Sequence, residues 1–230
     1  MEVNLLCLLG KYCGKKIAKS KWLDKKIFNF NINISGLENI KNIKGTFILA
    51  SNHVRPLDGG LFKTGIAPDS FIIKQIISQN LNKNLSVVAN FGLKDSRIYK
   101  LLEEFTKGLV IGLNGIAVKA GDKKSFREDF LKGVENAISK ERVILIHPAG
   151  KYYDDFEAHH EIKAGAAYIA LKYDLAIVPV YIKGCTNWNK KGQKVFVSLG
   201  KPIESKGKID KISEEIKDGM LKLKEDKIDL

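Results

Sequence analysis

The side chains best suited to chemistry lie in one stretch, Phe47-Ile48-Leu49-Ala50-Ser51-Asn52-His53-Val54-Arg55-Pro56-Leu57-Asp58. Its apolar start reads as a strand ending at Ala50. His53 follows just past the carboxyl end, where open α/β sheets gather their ligands. Asp58 comes five residues later, after Pro56 forces a turn or opens a helix. Such a bend can return the carboxylate to the imidazole. A carboxylate that accepts the Nδ1 proton fixes the tautomer, leaves Nε2 as a base and stabilises the imidazolium that forms. General-base assistance of this kind is worth roughly 10²–10⁴ in rate. With no Ser or Cys nucleophile paired to this base, the attacking group would be the substrate's own hydroxyl. The spacing by itself fits a satisfied structural histidine equally well.

The remaining reactive residues point elsewhere. Cys7, Cys13 and Cys185 are odd in number and form no C-x-x-C pair, which argues against a disulfide framework and for a reducing cytosol. Residues 147–161 gather His147, Asp154, Asp155, Glu157, His159, His160 and Glu161, but their spacing matches no ligand motif. A solvated acidic loop and no metal are the expectation there.

The elements that must position these groups follow from periodicity. The chain has 230 residues, 44% hydrophobic and 28% charged, enough for one domain with a substantial core. Phe28, Phe30, Ile32 and Ile34 alternate with polar residues and define a strand buried on one side. Further strands read at Thr46 to Ala50, Leu85 to Asn90, Ile116 to Lys119, Val143 to His147, Ala176 to Ile182 and Lys194 to Leu199. Helices fit between them. Asp69 caps an apolar one, Asp95 one running to about Lys107, and Asp122 one running to Lys140. Ile162 to Tyr173 forms another, with Gly165 suited to close packing, and residues 210–226 a polar amphipathic one. The pattern predicts a single α/β domain: a largely parallel mixed sheet flanked by helices, with an N-terminal amphipathic helix.

That N-terminal segment divides the chain into residues 1–27, a membrane-associating helical region, and residues 28–230, the catalytic domain. Leu5, Leu6, Leu9, Tyr12, Cys13, Ile17, Trp22, Leu23 and Ile27 alternate with Lys11, Lys15, Lys16, Lys19, Lys21, Lys25 and Lys26. An apolar stripe beside a lysine face is how a helix lies in a bilayer interface, though a helix packed on its own domain shows the same pattern. The apolar run Val3 to Leu9 lacks the charges of a signal peptide, and no stretch reaches the roughly 20 apolar residues of a membrane span. The formal net charge of +13 calls for an anionic partner. Scattered lysines without a base-stacking or groove-reading motif favour an anionic lipid surface over nucleic acid. The expected location is cytoplasmic, peripheral on the inner face of the membrane.

Taken together, the motifs resemble the glycerophospholipid acyltransferase family, whose best-known members acylate lysophosphatidic acid. Asn52, His53 and Asp58 match its Asn-His-x₄-Asp motif, and Gly36-Leu37-Glu38-Asn39 its lead-in. Val178-Pro179-Val180, after the Ala-rich stretch Lys163 to Lys172, matches its fourth motif, and Gly200-Lys201-Pro202-Ile203 its closing strand. The resemblance implies acyl transfer from acyl-CoA or acyl-carrier protein to the hydroxyl of a lysophospholipid or related lipid. His53 would be the base and Asp58 its orienting acid, with no cofactor. Substrate binding would fall to Asn52, Arg55, Lys119, His147, Pro148, Ala149, Gly150 and Lys151, while Val178, Pro179 and Val180 would be structural.

Two motifs depart from the family. Where it has Phe-Pro-Glu-Gly-Thr-Arg, this chain has His147-Pro148-Ala149-Gly150-Lys151-Tyr152, and Lys119 replaces the Arg of the second motif. Lysine offers a point charge where arginine offers a phosphate-matching fork. An acceptor other than simple lysophosphatidic acid, or a member that binds lipid without turnover, fits these losses.

Overall fold

The computed structural model describes residues 5–18, 30–58, 68–90, 97–119 and 123–226. Trp22, Leu23, Ile27, Phe28 and the expected caps Asp95 and Asp122 lie outside the described residues.

Seven strands form one sheet: β1 (Phe30–Ser35), β2 (Ile48–Ser51), β3 (Leu85–Asn90), β4 (Ile116–Val118), β5 (Val143–Ile146), β6 (Ile177–Lys183) and β7 (Gln193–Leu199). The helices are α1 (Leu5–Ala18), α2 (Glu38–Lys41), α3 (Asp69–Leu81), α4 (Arg97–Gly112), α5 (Lys123–Ile138), α6 (Gly165–Tyr173) and α7 (Ile209–Glu225). The strand order is β1-β7-β6-β2-β5-β3-β4, and only the β6–β7 pairing is antiparallel. Helical crossovers make the rest parallel, so central strands are buried on both faces and read as apolar runs.

Alternation sorts each strand between two cores. Leu49, Val143, Leu145, Val178 and Val180 join Ile72, Ile73, Ile76 and Ile77 of α3 on one side. Ile48, Ala50, Ile144, Ile146 and Ile177 meet α5, α6 and α7 on the other. The outcome is a three-layer α/β/α domain.

The motif residues outside the site have steric work to do. Gly36 has φ +74°, and a Cβ there would stand 1.9 Å from Leu199 O, so only glycine makes this turn. Asn39 then donates to that same carbonyl at 2.9 Å, tying α2 to the end of β7. Pro179 lies within β6, where its ring fits only because positions 200 and 219 are glycine: a Cβ on either would stand 2.7 Å from its Cγ.

Three details differ from expectation. Ile34 is 39% exposed, because β1 is an edge strand with less cover than a central one. Gly165 has open space where a Cβ would stand, so it serves no close packing. The N-cap of α3 is Pro68, with Asp69 inside the first turn and its carboxylate directed to other partners.

Helix α1 packs along α4 through two glycine pairs. A Cβ on Gly10 would lie 2.0 Å from Phe105 O, and one on Gly108 2.0 Å from Cys7 O; Gly14 and Gly112 are nearly as tight. Backbones that close exclude any side chain at the crossing. Leu5, Leu8, Leu9 and Tyr12 consequently face outward and exposed, beside exposed Lys11, Lys15 and Lys16.

Candidate functional site

Strands β2 and β5 are parallel neighbours with Ala50 opposite Ile146, so the residues leaving their carboxyl ends emerge side by side. His53 leaves one and His147 the other. Their rings stack with centroids 3.8 Å apart and planes 11° from parallel. Tyr152 lies against His53 as well, at 3.9 Å and 32°. Its loop is sewn to the His53 segment: Tyr153 N donates to His53 O at 3.0 Å, and Arg55 N donates to Tyr153 O at 3.2 Å.

The carboxylate on His53 is Asp69, at the head of α3. Its Oδ2 accepts the Nδ1 proton of His53 at 2.6 Å and the backbone N–H of Val54 at 3.0 Å. Its Oδ1 accepts from Ser70 N at 2.6 Å. Asp69 is fully buried, whereas the His53 side chain is 18% exposed. Burial pushes the carboxyl pKa up. The charge and hydrogen bond of His53, the nearby His147 and the Val54 amide outweigh it, and the group is held at about 2. The paired acid is thus ionised at neutral pH, and Nδ1 of His53 is committed to it.

Asp58, expected in that role, does other work. Its Oδ2 accepts from Trp188 N at 2.7 Å and from Asn189 Nδ2 at 3.3 Å. Leu57 N donates to Thr186 O at 2.7 Å, so this turn is pinned to the segment after β6. Asp58 ties two loops together, while a residue sixteen positions beyond His53 supplies the acid.

His147 occupies a different electrostatic setting. Its Nδ1 lies 3.2 Å from Ser51 O and 3.0 Å from Asn52 O; carbonyls only accept, so this nitrogen carries the proton. Nε2 then accepts from Ser70 Oγ at 3.1 Å. Burial first and His53 second hold its pKa down at about 4, so the ring is neutral at physiological pH. His53, Asp69 and His147 offer ligand atoms within 4.8 Å of one another. Both Nδ1 atoms already donate, however, and the stacked rings hold their nitrogen lone pairs in near-parallel planes.

The other expected substrate residues divide. Asn52 is 5% exposed, and its amide is consumed by Ile182: Nδ2 donates to Ile182 O at 2.9 Å and Oδ1 accepts from Ile182 N at 2.8 Å. It brackets β2 to β6 rather than facing a ligand. Lys119 Nζ is paired with Glu103 at 2.6 Å, and the Glu103 side chain is only 10% exposed, so that cation is already neutralised. Arg55 Nε is 3.5 Å from Asp154, both well exposed. Pro148 and Ala149 are buried; Gly150 turns the chain with φ +64°, donating to His147 O at 2.9 Å. Lys151 is exposed. Val178 and Val180 are fully buried in the core.

The loop expected to be acidic and solvated does expose Asp154, Glu157, His159 and Glu161, and it is also anchored. Phe156 is fully buried, and Tyr153 stacks on His160 at 3.7 Å. Asp155 accepts from Tyr181 OH at 2.7 Å and meets Lys224 of α7 at 3.1 Å, while Lys224 also donates to Phe156 O at 3.0 Å. Cys185 is fully buried, and burial with the charge of Asp69 pushes its thiol well up, which leaves it inert.

Sequence reasoning missed Asp69, Ser70 and Glu103. The available signal for Asp69 was an acid heading an otherwise apolar helix, a group that must be paired once buried.

Comparison with known proteins bears on this arrangement. The sequence model of the family described as Acyltransferase matches residues 31–183, which includes His53, Asp69, His147 and Tyr152. Among solved structures, the chain is similar to the 1-acyl-sn-glycerophosphate (LPA) acyltransferase PlsC from Thermotoga maritima, with a TM-score of 0.54 and 20% identity. The match covers 94% of this chain and 81% of that one, a likeness of fold. No curated protein matches the sequence.

Proposed function

The chain belongs to the acyltransferase family, and from that premise we propose that it moves a fatty acyl group from acyl-CoA or acyl-carrier protein to the hydroxyl of a lysophospholipid or related lipid. The observation that carries this reading is the 2.6 Å bond between His53 Nδ1 and buried Asp69 at the carboxyl end of β2. Nε2 of His53 takes the proton of the acceptor hydroxyl as its oxygen attacks the thioester carbonyl. The C–S bond breaks, and the proton on Nε2 passes to the departing thiolate. Asp69 holds the tautomer and offsets the imidazolium charge throughout. No cofactor enters this scheme.

The acceptor is delivered from a membrane. Among the described residues no helix is long and apolar enough to cross one. The exposed Leu5, Leu8, Leu9 and Tyr12 beside Lys11, Lys15 and Lys16 suit the surface of an anionic bilayer on the cytoplasmic side. Each lysine near such a surface adds about 1 kcal/mol. Wild-type protein should sediment with anionic vesicles, and Leu8→Asp with Leu9→Asp should release it.

The deciding experiment incubates purified protein with labelled acyl-CoA and a panel of lysolipids. Wild type forms an acylated lipid and His53→Ala loses roughly 10²–10⁴ in rate; equal rates for the two would end the reading. Binding without turnover is the second reading, favoured by Ala149 and by Lys119 lying on Glu103. It predicts vesicle and acyl-CoA binding with no product from any acceptor.

A further inference from the structure

His53 has a ring against each of two neighbours, His147 at 3.8 Å and Tyr152 at 3.9 Å. The His147 ring lies 11° from parallel and the Tyr152 ring is tilted by 32°, and two rings with centroids this close to a third are too bulky to share one of its faces, so His53 is enclosed from both sides. We propose that His147 and Tyr152 are positioning residues that clamp the His53 imidazole and fix the direction in which Nε2 meets the acceptor hydroxyl.

The hydrogen bond to Asp69 fixes one atom of the ring, Nδ1. A ring held at Cβ and at one nitrogen can still rock out of plane, which swings Nε2 through an arc at its far side. Flat walls on both faces remove that freedom without consuming a donor or acceptor. Each wall is held by contacts other than those to the His53 ring. His147 is pinned by Ser51 O, Asn52 O and Ser70 Oγ. Tyr152 is placed by the bridge that pairs Tyr153 with Val54. Misplacement of a catalytic group by about 1 Å can cost 10²-fold in rate, so the restraint has kinetic consequences. A tyrosine at this position also puts a planar, uncharged wall where the resembling family carries a guanidinium fork.

The kinetic half of this inference rests on the proposed role of His53 as base; the structural half does not. The chain has only four histidines, so ring-labelled protein gives a readable NMR spectrum. The ring protons of His53 are expected upfield, shifted by both neighbours. Tyr152→Ala should move them downfield and Tyr152→Phe should not. In acyl transfer, Tyr152→Ala is expected to lower kcat about tenfold or more with KM for both substrates little changed, and Tyr152→Phe to stay near wild type. A His53 resonance indifferent to Tyr152→Ala, or a kcat equally unaffected by it, would overturn the clamp. So would a Phe variant as slow as the Ala one. Should wild-type protein transfer no acyl group, the proposed function fails, and the clamp stands or falls on the resonance alone.

Discussion

His53 and His147 follow adjacent parallel strands and lie face to face, yet their Nδ1 atoms donate to different kinds of partner. His53 gives Nδ1 to an ionised carboxylate and retains partial exposure, so a proton arriving at Nε2 has a charge to balance it. His147 gives Nδ1 to main-chain carbonyls, is half-buried like His53, and is held neutral. Both residues follow neighbouring strands of one sheet; in the proposed reaction the partner on Nδ1 would make one a base and leave the other a wall. A histidine at the end of a strand therefore reveals its role only through what its other nitrogen touches.

The largest test of that contrast exchanges the rings' fates. His53→Ala is expected to lose roughly 10²–10⁴ in acyl-transfer rate, while His147→Phe, which keeps a flat ring on the stack, stays within about tenfold of wild type. Comparable losses from both, measured by product formation, would erase the distinction. Next comes the carboxylate. Asp69→Asn should cost about 10²-fold or more in kcat, because the amide can present the wrong tautomer, whereas Asp58→Asn should leave kcat within a few-fold. The reverse order would return the orienting role to Asp58.

Acid sensitivity sharpens the comparison further. The folded pKa of His147 is about 4, against 6.5 for an ordinary histidine. As pH falls from about 6.5 toward 4, the unfolded chain takes up a proton that the folded ring refuses, and stability drops by on the order of 3 kcal/mol. Urea unfolding should show this slope in wild type and lose most of it in His147→Phe. Asp69, held at about 2 against 3.8, adds a second loss only as pH falls from about 3.8 toward 2. Smallest is the loop tie: Asp58→Asn should cost about 1 kcal/mol, the worth of one hydrogen bond to a charged acceptor in a half-exposed site, read by the same denaturation.

Much of the fold was legible because the physics is local. Buried parallel strands such as Val143–Ile146 are unbroken apolar runs, and their alternation with helices admits few architectures. His53 was legible for the same reason, as a polar residue just past such a run. Its carboxylate was not. Asp58 and Asp69 are both acids shortly after His53, and a turn at Pro56 makes the nearer one the natural choice. The decision is made by the packing of α3, whose apolar Ile72, Ile73, Ile76 and Ile77 drive its first turn against β2. Likewise Lys119 read as a phosphate contact because Glu103, sixteen residues earlier on α4, shows no sequence link to it. The glycines of α1 and α4 are plain in the sequence, but that they pair emerges only from the crossing.

Lys224 grips the loop after β5 from the final turn of the last helix. Synthesis reaches that residue 68 positions after Phe156, and a domain folds as a unit. The tie between α7 and the segment that follows Tyr152 therefore forms only when the fold as a whole closes.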